Sequence, residues 1–146
     1  MSSAAARSPF RDPRLADVRD HQVASIDPDW QQKKTLWRGM RDMSMDSDAF
    51  KAQGGTEKAA MSTTVEEAIA RDYANASSSN NGLLMEFETF GLNRGVEIHM
   101  FSLYPHEKEF LYPPLTNMRF DEHRQQTVEC VDGKIVTKVP IIPTMA

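Results

Sequence analysis

The chain has 146 residues, of which 40% are hydrophobic and 26% charged, proportions that fit a single globular domain and leave too little material for two independent cores. A formal net charge of -4 supplies no global positive field, which disfavours nucleic acid as the main partner. Cys130 is the single cysteine, so an intrachain disulfide framework is excluded.

Met1 to Leu15 contains no apolar run that would serve as a signal sequence, and no stretch approaches the roughly 18 apolar residues of a membrane helix. The reading is an intracellular protein, cytoplasmic or otherwise, with no membrane partner. Residues 1–33 are expected to be a loosely ordered or partly helical lead-in, because Pro9, Pro13 and Pro28 interrupt longer helices.

Residues 34–146 read as the folded domain. Lys34 to Met40 carries Leu36 and Trp37 and predicts a strand ended by Gly39, with Arg38 at its end. Arg41 to Gly55 is polar and finishes in Gly54-Gly55, the pattern of a loop or short helix before a turn. Thr64 followed by Glu67 has the capping-box spacing, and Val65, Ala68, Ile69 and Tyr73 recur at helical period, which assigns Tyr73 to the core. Asn75 to Asn81 closes that helix in a Ser/Asn-rich loop. Strands are then expected over Leu83 to Phe90, Val96 to Phe101, Glu107 to Tyr112, Met118 to Val131 and Lys134 to Ile142, with Asp132-Gly133 as a hairpin turn. Helix ahead of a run of strands argues for an α+β fold over repeated βαβ units.

The Glu107-Lys108-Glu109 triplet draws attention to chemistry. In a strand, Glu107 and Glu109 would share one face, where like charges repel unless a cation, proton or substrate relieves them. By itself the pair reads more often as a solvated strand face. Its surroundings are more specific: Phe101-Ser102-Leu103-Tyr104-Pro105-His106 leads in, and Phe110-Leu111-Tyr112-Pro113-Pro114-Leu115-Thr116 leads out. This segment resembles the Glu-x-Glu region of the arginine-directed mono-ADP-ribosyltransferases. Met61-Ser62-Thr63-Thr64 stands where that family has Ser-Thr-Ser, with Thr64 replacing the last serine, and Leu36-Trp37-Arg38-Gly39 resembles its aromatic-Arg-Gly strand. Together the three elements follow the family's order from Thr35 to Thr116.

The resemblance implies an ADP-ribosyltransferase fold, with two small, mostly antiparallel sheets packed at a steep angle around an NAD cleft and helices to the side. It implies an NAD(+)–protein-arginine ADP-ribosyltransferase of the glycosyltransferase class, with NAD as co-substrate and a protein or small guanidino compound as acceptor. Glu109 would stabilise the oxocarbenium-like transition state as nicotinamide leaves, and Glu107 would orient the acceptor guanidinium. Ser62 would position Glu109 or the ribose. Arg38 would bind an NAD phosphate or ribose oxygen, and Gly39 would admit the nicotinamide amide close to the backbone. Thr63 and Thr64 complete the cofactor-binding motif, and Tyr104 would help recognise the protein substrate.

Two alternatives stand beside this reading: an NAD glycohydrolase on the same scaffold, and a catalytically silent binding domain. A glycosidase is disfavoured, since its two carboxylates must face each other across a sugar and these lie side by side. Neither His99 nor His106 sits in a metal-ligand spacing, so no metal is expected. No Gly-x-Gly-x-x-Gly occurs either, and NAD would not be held in the Rossmann manner.

Overall fold

The computed structural model describes residues 32–43, 47–76, 80–98 and 100–145. The expected lead-in over residues 1–33 lies outside these except for its last two positions, and His99 also lies outside them. In chain order the elements are β1 (Lys34–Arg41), α1 (Ser47–Gln53), β2 (Gly55–Glu57), β3 (Met61–Thr64), α2 (Glu67–Asn75), β4 (Asn81–Thr89), β5 (Val96–Glu97), β6 (Glu109–Tyr112), β7 (Thr116–Phe120), β8 (Thr127–Val131) and β9 (Lys134–Thr144). Short 3-10 turns cover Gly91–Arg94 and Pro105–Glu107. This is the expected α+β composition. No helix among the described residues is long and apolar enough to cross a membrane.

The strands follow one path, β2-β7-β9-β4-β1-β3-β6-β5, with β8 alongside the first half of β9. Among the described residues only β4 and β9 run parallel, and the other pairings are antiparallel. The path narrows between β1 and β3, where a single register pair, Trp37 with Thr64, joins the two sides. One arm therefore holds β2, β7, β9, β4 and β1, and the other holds β3, β6 and β5. The two small sheets implied by the resemblance take the form of these two arms, and the pinch between them opens the space that becomes the cleft.

Side-chain alternation along the central strands builds two cores. Leu36, Leu83, Met85, Phe87, Val139 and Ile141 face one way and meet Met61, Phe110, Tyr112 and Met118. Trp37, Leu84 and Val136, one residue out of phase, face the other way and are covered by Ala70 of α2. The helix lies so close to the sheet because two glycines receive it. A Cβ on Gly39 of β1 would fall 1.7 Å from the Ala70 carbonyl oxygen, and one on Gly82 of β4 would fall 2.6 Å from that of Ala74. Ala70 and Ala74, one turn apart and both buried, present the matching small surface.

Several expectations are corrected. β1 does not stop at Gly39 but continues to Arg41, which places Arg38 mid-strand. The helix begins at Glu67 instead of directly after Thr64, and its N-cap residue, Glu66, makes no side-chain cap bond. Thr64 is the last residue of β3; its hydroxyl accepts the Glu66 N–H at 3.0 Å, a local turn that delays the helix. The strand expected over Val96 to Phe101 ends at Glu97. Its partner β6 starts only at Glu109, so after Ile98 N–H bonds the Glu109 carbonyl there is nothing left to pair with, and the chain turns, Phe101 and Ser102 both donating to the Ile98 carbonyl. The region from Met118 to Val131 is two strands separated by a turn at 121–126. The Asp132-Gly133 turn is present, with φ of 53° and 77° as a type I′ hairpin requires.

Candidate functional site

A cleft of about 360 Å³ opens at the pinch between the two arms and is roofed on one side by α2. Every residue that the sequence nominated lines it: Arg38 and Gly39 from β1, Ser62, Thr63 and Thr64 from β3, Tyr104 and Glu107 from the turn before β6, and Glu109 at the start of β6. Residues up to 71 positions apart are thus brought to one concavity. Trp37, Ile69, Ala70 and Tyr73 complete the wall.

Strand register explains the contact between Ser62 and Glu109. Ser62 pairs with Leu111 and Thr64 with Glu109, so Ser62 and Glu109 are diagonal neighbours on the same face of the β3–β6 ladder. The Ser62 hydroxyl donates to Glu109 Oε1. A hydroxyl bonded to a half-buried carboxylate is a charge-assisted contact, and it fixes the carboxylate's orientation toward the cleft. Thr63 points to the opposite face, where it is buried and its hydroxyl donates to the Phe110 carbonyl at 3.0 Å. Its side chain serves the β3–β6 junction.

Glu107 reaches the same cleft by a route that strand alternation does not describe. It closes the Pro105–Glu107 turn, Lys108 follows in the left-handed region (φ 45°, ψ 58°), and only Glu109 is extended. The two carboxylates converge because the chain reverses its local hand between them. The Glu107 carbonyl accepts the Thr64 hydroxyl, its carboxylate meets the Tyr73 phenol at 3.4 Å, and the Lys108 ammonium bonds Glu66 at 2.7 Å. Tyr104 is exposed on the rim, edge-on to His106 at 6.2 Å between centroids.

Arg38 is half-buried in the cleft wall. Its Nη1 donates to the Ser62 carbonyl at 3.0 Å, its Nη2 lies 3.8 Å from Glu57 Oε2, and its Nε has no partner among the described residues. Burial lowers the Arg38 pKa, and the Glu57 charge partly offsets that shift. The guanidinium nonetheless stays charged at neutral pH. The negative charge of Glu107 raises the Tyr73 pKa, as do slight burial and the bond between them, so the phenol stays protonated and acts as donor. Lys108 is likewise raised by its bond to Glu66.

Two participants escaped the sequence reading. Tyr73, assigned to the core, is 55% exposed and stands over Glu107. Its spacing from Ile69 and Ala70 is the helical stripe, but the stripe faces the cleft at its far end instead of the sheet. Glu57 comes from β2, at the far edge of the arm that also holds β1, and nothing local marks it. Gly39 lines the cleft, yet the space before its Cα is filled by the Ala70 carbonyl, so close helix packing by itself demands glycine there. Among the described residues no group of His, Cys, Asp and Glu is arranged to hold a metal.

No family model matches the chain, and no curated protein matches it in sequence. Solved structures do match. The ADP-ribosyltransferase HopU1 of Pseudomonas syringae pv. tomato DC3000 is 22% identical with a TM-score of 0.51, over 76% of this chain and 45% of that one. The ADP-ribosyltransferase Vis, solved with an inhibitor, is 20% identical with a TM-score of 0.55, over 92% of this chain and 60% of that one. Exoenzyme S of Pseudomonas aeruginosa, solved with human 14-3-3 protein beta and carba-NAD, is 16% identical with a TM-score of 0.50, over 91% and 60%. The chain therefore has the ADP-ribosyltransferase fold, and it spans about half to three fifths of the length of these proteins.

Proposed function

On an ADP-ribosyltransferase fold whose cleft gathers Arg38, Ser62, Glu107 and Glu109, we propose that residues 34–146 form a catalytic domain that cleaves NAD and transfers ADP-ribose to a guanidinium, that of a protein arginine or a small analogue. The observation that carries this reading is the Ser62–Glu109 bond in a cleft that is also lined by Arg38 and the second carboxylate. Glu109, oriented by Ser62, faces the anomeric carbon as positive charge develops there on loss of nicotinamide, and it stabilises that charge only in the transition state. Arg38, whose Nε has no partner among the described residues and whose Nη1 is bonded to the Ser62 carbonyl, pairs with the anionic part of NAD. Glu107 accepts two parallel hydrogen bonds from the incoming guanidinium and aims its nitrogen at the anomeric carbon. As the nitrogen–carbon bond forms and the nicotinamide–ribose bond breaks, that nitrogen gives up one proton to solvent.

Labelled NAD with agmatine or polyarginine tests the proposal. Label should enter the acceptor, and Glu109→Gln should lower the rate by about 10²- to 10³-fold, the scale for losing one electrostatic stabiliser. Absence of transfer above the Glu109→Gln control would sink it. NAD glycohydrolysis, the second reading, shares the cleavage step and differs in that water takes the place of the guanidinium; free ADP-ribose without labelled acceptor would favour it.

A further inference from the structure

The two carboxylates of the cleft are held by different parts of the molecule. Glu109 belongs to the ladder, bonded to Ser62 and paired in register with Thr64. Glu107 lies outside the ladder, on a turn whose following residue, Lys108, has a positive φ that L residues rarely adopt. Such a conformation persists only where its surroundings maintain it. Here the surroundings are the end of β3 and the entry and first two turns of α2: the Thr64 hydroxyl donates to the Glu107 carbonyl, Lys108 Nζ bonds Glu66 Oε1 at 2.7 Å, immediately ahead of the helix, and the Tyr73 phenol bonds Glu107 Oε1 at 3.4 Å from further along it. The side chains of Glu66 and Lys108 are 44% and 59% exposed.

We propose that the Glu66–Lys108 ion pair and the Tyr73 phenol are positioning elements for Glu107, and that they set how ADP-ribose is partitioned between a guanidino acceptor and water. The inference rests on the function proposed above and deepens it. Glu66 and Lys108 are not among the residues that line the cleft; they act through the placement of one carboxylate. Because the pair is exposed, its effect is modest and is screened by salt.

The test measures acceptor labelling and free ADP-ribose in the same reaction, with labelled NAD and agmatine, at low and at high ionic strength. Glu66→Gln should raise the KM for agmatine and lower the transfer-to-hydrolysis ratio by about two- to fivefold, the range for an exposed ion pair, while NAD cleavage without acceptor stays at the wild-type rate. Wild type should lose more of this ratio as salt is raised than Glu66→Gln does, because screening of the acceptor's own charge is common to both. The reversed pair Glu66→Lys with Lys108→Glu should restore the ratio, and Tyr73→Phe should raise the agmatine KM in the same direction. Hydrogen exchange at the Glu107 and Lys108 amides, bonded to the Tyr104 and Pro105 carbonyls, should accelerate in Glu66→Gln with Phe110 unchanged. An active Glu66→Gln protein with wild-type partition, or unaltered exchange at these amides, overturns the positioning role alone. A wild-type protein that exchanges as described but neither cleaves NAD nor labels agmatine overturns the functional reading, and the partition with it.

Discussion

Gly39 offers a clean separation of packing from ligand binding. Adding one methyl group there places a Cβ 1.7 Å from the Ala70 oxygen, 2.8 Å from the Ala70 carbonyl carbon and 2.8 Å from the Ala74 nitrogen, all backbone atoms of a helix. Ordinary contact begins near 3.4 Å, so α2 must withdraw from β1 by on the order of 1.7 Å, and no side-chain rotation relieves the clash. Withdrawal parts Ala70 from Trp37, Leu84 and Val136 and opens the second core. Overpacking of this kind costs about 1 to 3 kcal/mol, and a rigid backbone obstacle puts Gly39→Ala at the upper end. For a domain of this size that corresponds to a fall in Tm of roughly 8 to 15 °C. Thermal and urea unfolding of the protein without NAD measure it. A Gly39→Ala protein within about 0.5 kcal/mol of wild type, impaired only in NAD binding, would refute the packing argument and return Gly39 to a purely ligand-facing role.

Ser62→Ala removes the donor to Glu109 and should reduce NAD cleavage roughly 10- to 150-fold, the equivalent of about 1.5 to 3 kcal/mol for a hydrogen bond to a charged group. Steady-state kinetics with and without acceptor should show transfer and hydrolysis falling together, and a loss confined to transfer would contradict the assignment of Ser62 to Glu109. Tyr112 provides a pH prediction. It is fully buried, its O–H donates to the Asn93 carbonyl at 2.7 Å, and burial raises its pKa above that of a free tyrosine. The unfolded chain ionises this phenol first, so its contribution to stability is complete below about pH 10 and is lost progressively as pH rises above that value. Tyr112→Phe should cost about 1 kcal/mol at pH 7 in urea unfolding and show a shallower alkaline loss; equal alkaline slopes in the two proteins would count against it.

Much of the fold was legible because it is local. Short apolar and β-branched runs located β1, β4 and β9 to within a residue or two at most ends, and Asp132-Gly133 announced its hairpin through the positive φ that a type I′ turn requires. The expected strand beyond Glu97 failed for a non-local reason, since an extended segment persists only while a partner strand runs beside it and β6 starts at Glu109. The onset of α2 failed because the Thr64 hydroxyl, suited by type to a cap, was taken by the Glu66 amide and the Glu107 carbonyl. Tyr73 was misplaced since helical period shows which residues share a stripe and not what the stripe faces.

By itself the sequence determined the residue types of the candidate site and their order: an arginine after an aromatic, a run of three hydroxyls counting Thr64, and two glutamates flanking a lysine. These are properties of short segments, and short segments carry their own signature. Only the tertiary structure decided that they meet. Convergence depends on β1 and β3 joining at one pair, on β3 and β6 taking the register that sets Ser62 diagonal to Glu109, and on two glycines letting α2 close over the pinch. It also decided how Glu107 arrives, through a left-handed Lys108 maintained by contacts from the next element in space instead of the alternation of a strand. Register, sheet pinch and helix approach are pairings between distant segments, and their energies do not exist until both partners are in place.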